Sequence, residues 1–312
     1  MRAAFASTLV ELAERDERIL LLTGDLGFRA LEPFSERFPR RFFNVGVAEQ
    51  NMLGLATGLA ESGFLPFVYS IATFASLRAY EFIRNGPVAH GLPVRIVGMG
   101  GGFEYGPAGI SHHALEDVGV MRLQPGLTVL APCDPEQTRS ILRETWDRPG
   151  PIYYRLGKND HASIEGLGGR FRIGRSEILL EGKDVLVLAS GGLTAEALAA
   201  CRELGRNGIH ATLAAVSTLN PAPVSDLRDH LARFPLAVTV EAHYVTGGLG
   251  SMVAEVIAEG ALPCRLLRLG VAEPSDGVSG SLEFLLRRHG LSRDAIAAAI
   301  ARSFEISDPS AS

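Results

Sequence analysis

Ile19-Leu20-Leu21-Leu22-Thr23 sets four aliphatic side chains in a row with no polar residue between them. A half-buried strand would alternate apolar and polar positions, and a surface helix would bring polar groups round every turn. An unbroken aliphatic run this short fits a strand covered on both faces, as in a parallel sheet between helical layers. Outward from it, further strands are expected at 42–47, 94–99, 127–131 and 152–156, with helical patterns near 2–14, 49–61, 74–88 and 135–146. Such alternation implies right-handed crossovers and a doubly wound α/β sheet. The stretch 157–176 breaks the rhythm with Gly157, Lys158, Asn159, Asp160, Gly166, Gly168 and Gly169. The alternation then resumes, with strands expected at 185–189, 211–216, 237–240 and 266–269 and helices near 194–207, 223–232, 251–259 and 293–303. The expected organisation is a first domain at 1–160, a linker at 161–176, a second domain at 177–306 and a frayed tail at 307–312.

Length and composition agree with two packed domains. The chain has 312 residues, 46% of them hydrophobic and 21% charged, and is far from the composition of a disordered chain. A net charge of −5 leaves no basic excess to neutralise phosphates, which argues against nucleic acid as a partner. Cys133, Cys201 and Cys264 are isolated and odd in number, so a reducing compartment is expected rather than a disulfide framework. Arg2, Glu11, Glu14, Arg15, Asp16, Glu17 and Arg18 interrupt the first segment, and no apolar run reaches the ~20 residues that span a bilayer. The expectation is a cytoplasmic enzyme or subunit acting on small molecules, with no membrane partner.

The turn after the second expected strand reads Asn44-Val45-Gly46-Val47-Ala48-Glu49-Gln50-Asn51-Met52. Glu49 stands where strand gives way to helix, at the carboxyl edge where such sheets bind ligands. Gly54, Ala56, Gly58 and Ala60 make the following helix small-sided enough for close packing. On pattern alone the favoured reading is a cap against the helix dipole, the commoner use of an acidic residue in a first turn. His210, His230, His243 and His289 share no ligand spacing, so no metal site is expected within this chain.

Several stretches occur in a fixed order: Val45 to Met52 as above, Gly63-Phe64-Leu65-Pro66-Phe67, Gly106-Pro107, and Ser111-His112-His113-Ala114-Leu115-Glu116-Asp117. Together they resemble the pyrimidine-binding domain of transketolases, a group that includes the related deoxyxylulose phosphate synthases. Val238-Thr239-Val240-Glu241-Ala242-His243, followed by Gly247-Gly248-Leu249-Gly250-Ser251, resembles the third domain of the same family. The resemblance covers nearly the whole chain. It implies two doubly wound α/β domains with mostly parallel sheets, a thiamine diphosphate-binding pyrimidine domain and a transketolase C-terminal domain. The family's Gly-Asp-Gly motif, which holds a divalent metal and the cofactor's diphosphate, is not found. The chain therefore resembles the carboxy-terminal subunit of a split transketolase, which moves a two-carbon ketol unit between sugars or sugar phosphates. The implied cofactor is thiamine diphosphate, with Mg2+ or another divalent metal held by a separate amino-terminal subunit. The implied assembly is a dimer of this chain within a heterotetramer.

The resemblance also assigns roles. Glu49 matches the glutamate that hydrogen-bonds the aminopyrimidine and exchanges a proton with it. Leu26, after Asp25 in Thr23-Gly24-Asp25-Leu26, matches the apolar wedge that bends the cofactor. Phe74 matches the aromatic packed on the pyrimidine, with Ile71 and Leu77 standing where transketolases often carry further aromatics. His112, or His113 if the apparent two-residue insertion shifts the register, matches a histidine that contacts substrate hydroxyls and moves protons. Arg155 in Ile152-Tyr153-Tyr154-Arg155 matches a phosphate contact. Arg29 replaces a phosphate-binding serine, since the family's Asp-Leu-x-x-Ser reads Asp25-Leu26-Gly27-Phe28-Arg29 here. The two arginines are thus expected to form an anion clamp for the acceptor, although a solvated Arg29 and a salt-bridged Arg155 fit the same sequence. The resemblance assigns the glycines at 247–250 to subunit packing rather than to phosphate binding. Rival readings are a deoxyxylulose phosphate synthase-like activity, the beta subunit of a 2-oxoacid dehydrogenase, and a non-catalytic assembly subunit.

Overall fold

A computed structural model gives the fold and describes residues 1–158, 163–273 and 277–307. The strands of the first half are β1 (Ile19–Thr23), β2 (Phe42–Asn44), β3 (Leu65–Ile71), β4 (Arg95–Met99), β5 (Thr128–Leu130) and β6 (Ile152–Leu156). Those of the second half are β7 (Ser176–Leu180), β8 (Val185–Ala189), β9 (Ala211–Val216), β10 (Thr218–Asn220), β11 (Leu236–Tyr244) and β12 (Arg265–Val271). The first-half helices are α1 (Arg2–Arg15), α2 (Glu32–Arg37), α3 (Glu49–Glu61), α4 (Tyr80–Ile83), α5 (Asp117–Arg122) and α6 (Pro135–Thr145). The others are α7 (Thr194–Arg206), α8 (Val224–Leu231), α9 (Leu249–Gly260), α10 (Leu282–Arg288) and α11 (Arg293–Ser307).

The two sheets run β10-β5-β6-β4-β3-β1-β2 and β12-β11-β8-β9-β7. Every pairing is parallel except β10 with β5 and β7 with β9. The aliphatic run in β1 does what its composition demands. Ile19 and Leu21 pack with Phe5, Leu9 and Leu12 of α1, while Leu20 and Leu22 pack with Met52, Leu53 and Ala56 of α3. Each such side chain contributes about 1.5–3 kcal/mol by burial. In β8, Leu186 and Leu188 face the same core cluster as Leu20 and Leu22, and Val185 and Val187 face another. One apolar core therefore continues from the first sheet into the second.

Several elements differ from the sequence expectation. β3 has no counterpart in the sequence expectation, because Pro66 and Ser70 interrupt its apolar pattern; it nevertheless lies between β1 and β4. Proline is tolerated there near the strand's start. β10 belongs to the second half by sequence but forms the edge of the first sheet, two residues after β9 ends in the second. β2 stops at Asn44 rather than running to 47, and Gly46 takes a left-handed φ of +73°. The helix expected at 74–88 is instead α4 between two π-helical turns, Phe74–Arg78 and Arg84–Val88, the second enclosing Pro87. The interval 161–176 contains buried Ile164, Leu167 and Phe171, and the Ile164 N–H donates to Asp134 at 2.8 Å. Ser176 is already the first residue of β7. Of the tail expected at 307–312, all but Ser307 lies outside the described residues, as do Asn159 and Asp160. No described helix is long and apolar enough to cross a membrane.

Candidate functional site

The carboxyl ends of β1, β3 and β4 carry the turns in which most of the expected site residues stand. Glu49 opens α3 and is fully buried. Its Oε1 accepts a hydrogen bond from the Ser70 hydroxyl on β3 at 2.8 Å, and its Oε2 lies 2.6 Å from Nη1 of Arg78. Leaving an ionised carboxylate unpaired at such a place would cost several kcal/mol, so both contacts matter to the fold. Gly24, just past β1, lies beside the same carboxylate: a Cβ there would stand 3.4 Å from Oε1.

The π-turn that follows β3 supplies the ring and the cation of the site. Phe74 is half-buried, and the Arg78 guanidinium lies over its ring at 4.3 Å from the centroid. His112 ends a short 3-10 turn and meets Phe74 edge-on, with ring centroids 5.0 Å apart. Ser111 Oγ and His112 Nδ1 are 2.9 Å apart, a contact that orients the imidazole. Tyr105 lies 6.3 Å from His112 between ring centroids, and the Lys158 ammonium sits 4.5 Å from the Tyr105 ring centre. Gly100, at φ +78°, permits this arrangement, because a Cβ there would collide with the Tyr105 ring. Glu49, Arg78, Phe74, His112, Tyr105 and Lys158 thus form one continuous chain of contacts.

The remaining expected residues are dispersed. Asp25 is exposed, accepts from Asn44 Nδ2 at 2.8 Å and, with Leu26, lines a separate cavity of about 250 Å³ with Thr23, Phe42 and Asn44. Ile71 is half-buried at the end of β3, and Leu77 is exposed. His113 turns the other way from His112. It is buried edge-on against Phe103, and its Nε2 contacts the Gly106 carbonyl at 3.3 Å. His113 is thus enclosed, whereas His112 is the histidine that meets Phe74.

The two arginines do not form a clamp. Arg29 is exposed in a loop at φ +59° and borders a groove with Arg2, Ala6 and Val10 of α1. Arg155 is buried between the halves, donating from Nε to Asp117 at 2.8 Å and from Nη2 to the carbonyls of Ala114 and Ala242, each at 2.9 Å. Burial opposes its charge, yet Asp117, with Tyr153 and Glu241, holds its pKa above the ordinary arginine value. Tyr153 also donates to Asp117 at 2.8 Å; burial first, and that carboxylate second, raise the phenol's pKa well above its ordinary value. Arg155→Met should therefore destabilise the chain by about 3–5 kcal/mol, since it strands Asp117 as an uncompensated buried charge. Urea unfolding measures this, and a loss below about 1 kcal/mol would mean the pair is solvated instead.

The second-half motif is structural as well. Glu241 accepts from the N–H groups of Leu249 and Gly250, each at 2.7 Å, and so caps α9. A Cβ on Gly248 would occupy the place of the Glu241 carboxylate. His243 accepts from Gly119 of α5 at 3.1 Å, which ties the halves together. No group of three or more His, Cys, Asp or Glu able to hold a metal occurs among the described residues. Arg78 and Lys158 were not singled out from the sequence. In the sequence Lys158 is only one of the polar residues that mark the break after β6.

Comparison with known proteins gives the family. The family model "Transketolase, pyrimidine binding domain" matches residues 1–162, and "Transketolase, C-terminal domain" matches residues 174–296. A putative transketolase C-terminal section of Methanocaldococcus jannaschii is 39% identical over 95% of this chain and 94% of its own. The 6-deoxy-6-sulfo-D-fructose transketolase subunit of a Clostridium species is 36% identical over 93% and 90%. Among solved structures, a split gene transketolase described as an inactive beta4 tetramer superposes with a TM-score of 0.87 at 36% identity, over 98% of both chains.

Proposed function

The chain belongs to the transketolase family, and from that premise we propose that it is the carboxy-terminal half of a thiamine diphosphate-dependent transketolase. On this reading a separate subunit supplies the diphosphate and metal site. The observation that carries it is the fully buried Glu49 carboxylate, linked through Arg78 to the half-buried Phe74 ring, which meets the His112 imidazole edge-on, at the carboxyl edge of a parallel sheet. A buried carboxylate joined by one side chain to an aromatic face, with an imidazole at that ring's edge, fits a planar, hydrogen-bonding aminopyrimidine.

Bound thiamine diphosphate supplies a nucleophilic thiazolium carbon and an electron sink. The chain's own residues hold and orient it. Glu49, with one oxygen fixed by Ser70, would hold the pyrimidine's ring nitrogen through the other and could exchange a proton with it. Phe74 provides the stacking face. His112, held by Ser111, donates to or accepts from the hydroxyls of the sugar. Val47, Leu55, Leu77 and Phe82 are exposed apolar side chains near the start of α3 and the π-turn, and they support a partner surface beside the site.

The substrates are sugars bearing an anionic group. Lys158, over Tyr105 and one ring from His112, takes the role expected of Arg155. A charge-assisted contact is worth about 1.5–3 kcal/mol, or roughly tenfold or more in affinity. Lys158→Ala should therefore raise the KM for a phosphorylated acceptor about tenfold and leave its unphosphorylated counterpart nearly unchanged. Equal effects on the two acceptors would remove the anion-contact role. The test of the function as a whole is to coexpress the chain with a diphosphate-binding partner subunit and assay ketose donors against aldose acceptors. Ketol transfer by the pair is expected. Release of carbon dioxide from pyruvate without ketol transfer would overturn the reading.

A further inference from the structure

Arg78 makes, within the free chain, the two contacts that the proposed function reserves for the pyrimidine. Its guanidinium is planar and lies over the Phe74 ring at 4.3 Å from the centroid. Its Nη1 is 2.6 Å from Glu49 Oε2, while Glu49 Oε1 remains with Ser70. A flat group that stacks on Phe74 and donates to Glu49 resembles an aminopyrimidine in shape and in hydrogen bonding, and two such groups cannot share one ring face and one carboxylate oxygen. The Arg78 side chain is 39% exposed, whereas Glu49 is fully buried. The arginine can therefore swing into water without burying its charge, but the glutamate cannot move away from the site. Arg78 also ends the π-turn that Phe74 begins, so the two side chains leave the same wide turn one above the other.

We propose that Arg78 is a resident stand-in for the pyrimidine, a latch that compensates the buried Glu49 carboxylate while the site is free and that must withdraw before the cofactor's ring can seat. This rests on the reading of Glu49 and Phe74 as the pyrimidine site. Its thermodynamic consequence is a reduced apparent affinity. When the competent state is populated for only a fraction of the time, the dissociation constant rises by the inverse of that fraction, so a latch closed nine-tenths of the time weakens binding about tenfold. In exchange, the free chain keeps a buried carboxylate neutralised before its cofactor arrives.

The experiment measures binding rather than turnover. The full chain, as wild type, Arg78→Gln and Glu49→Gln, is titrated with the hydroxymethyl pyrimidine fragment of thiamine, and binding is followed by saturation-transfer NMR at millimolar probe. Arg78→Gln should bind the fragment about tenfold more tightly than the wild type, and its ligand-free Tm should fall. A purely supporting role for Arg78 would lower the Tm without tightening binding. Unchanged or weaker binding in Arg78→Gln, together with loss of binding in Glu49→Gln, would overturn the latch and leave the pyrimidine site standing. Binding that survives Glu49→Gln, or no binding by any of the three proteins, would overturn the site and the latch with it. Should Arg78→Gln not fold, Arg78→Lys tests the same sign, with a smaller tightening expected because a compact ammonium covers less of the Phe74 ring.

Discussion

Glu49→Gln is expected to slow proton exchange at the cofactor's thiazolium carbon by about 10²–10⁴-fold in the assembled enzyme, the usual scale for a positioned acid–base group. Glutamine keeps the size of the side chain and can still accept from the Ser70 hydroxyl, but it cannot exchange a carboxyl proton. The fold tolerates the change because the amide removes a buried charge and remains beside Ser70 and Arg78. Hydrogen–deuterium exchange followed by NMR isolates this step from substrate binding and product release. A variant that exchanges at the wild-type rate would reduce Glu49 to the first-turn acidic residue its local sequence also allows. Circular dichroism of the free variant separates a chemical loss from a loss of folding.

Without a partner, this chain is expected to show no ketol transfer at all, even with thiamine diphosphate and magnesium in excess. The described residues provide a carboxylate, an aromatic face, an imidazole and a lysine at one sheet edge, but no cluster of metal-binding side chains to seat a diphosphate. Titrating a diphosphate-binding subunit into the chain should restore turnover, with saturation at equal amounts of the two. Light scattering at that point should give a two-plus-two assembly. Substantial turnover by the isolated chain would sink the split-subunit reading, and an active one-to-one heterodimer as the only species would sink the tetramer alone.

Much of the architecture was legible in short-range pattern. The aliphatic runs of β1 and β8 announced strands buried on both faces, and both proved to pack alternate side chains into different cores. Glu49 could be placed at a strand-to-helix boundary from its neighbours alone, because the change of period there is local. β3 escaped notice for the opposite reason: a strand at the centre of a sheet is stabilised by its neighbours, and with such support it tolerates a Pro66 that local propensity counts against it. β10 escaped for a topological reason, since nothing in three residues says that they pair antiparallel with a strand some ninety positions earlier.

The sequence by itself determined the residue types, their order along the chain, and hence the α/β layering and the sheet edge on which a ligand site belongs. Only the tertiary structure decided which side chains share that edge. His112 and His113 are chemically identical and adjacent, yet backbone direction sends one to Phe74 and the other to Phe103. Arg155 reads as an anion ligand in sequence, yet the fold brings Asp117 beside it to take its Nε, while Lys158 comes to lie against Tyr105. Arg78 shows the same rule from the other side, since its meaning comes from a carboxylate twenty-nine positions away. A charged side chain's role is set by the counter-charge it meets and by the water it loses, and both are properties of distance in space, to which spacing along the chain is only a weak guide.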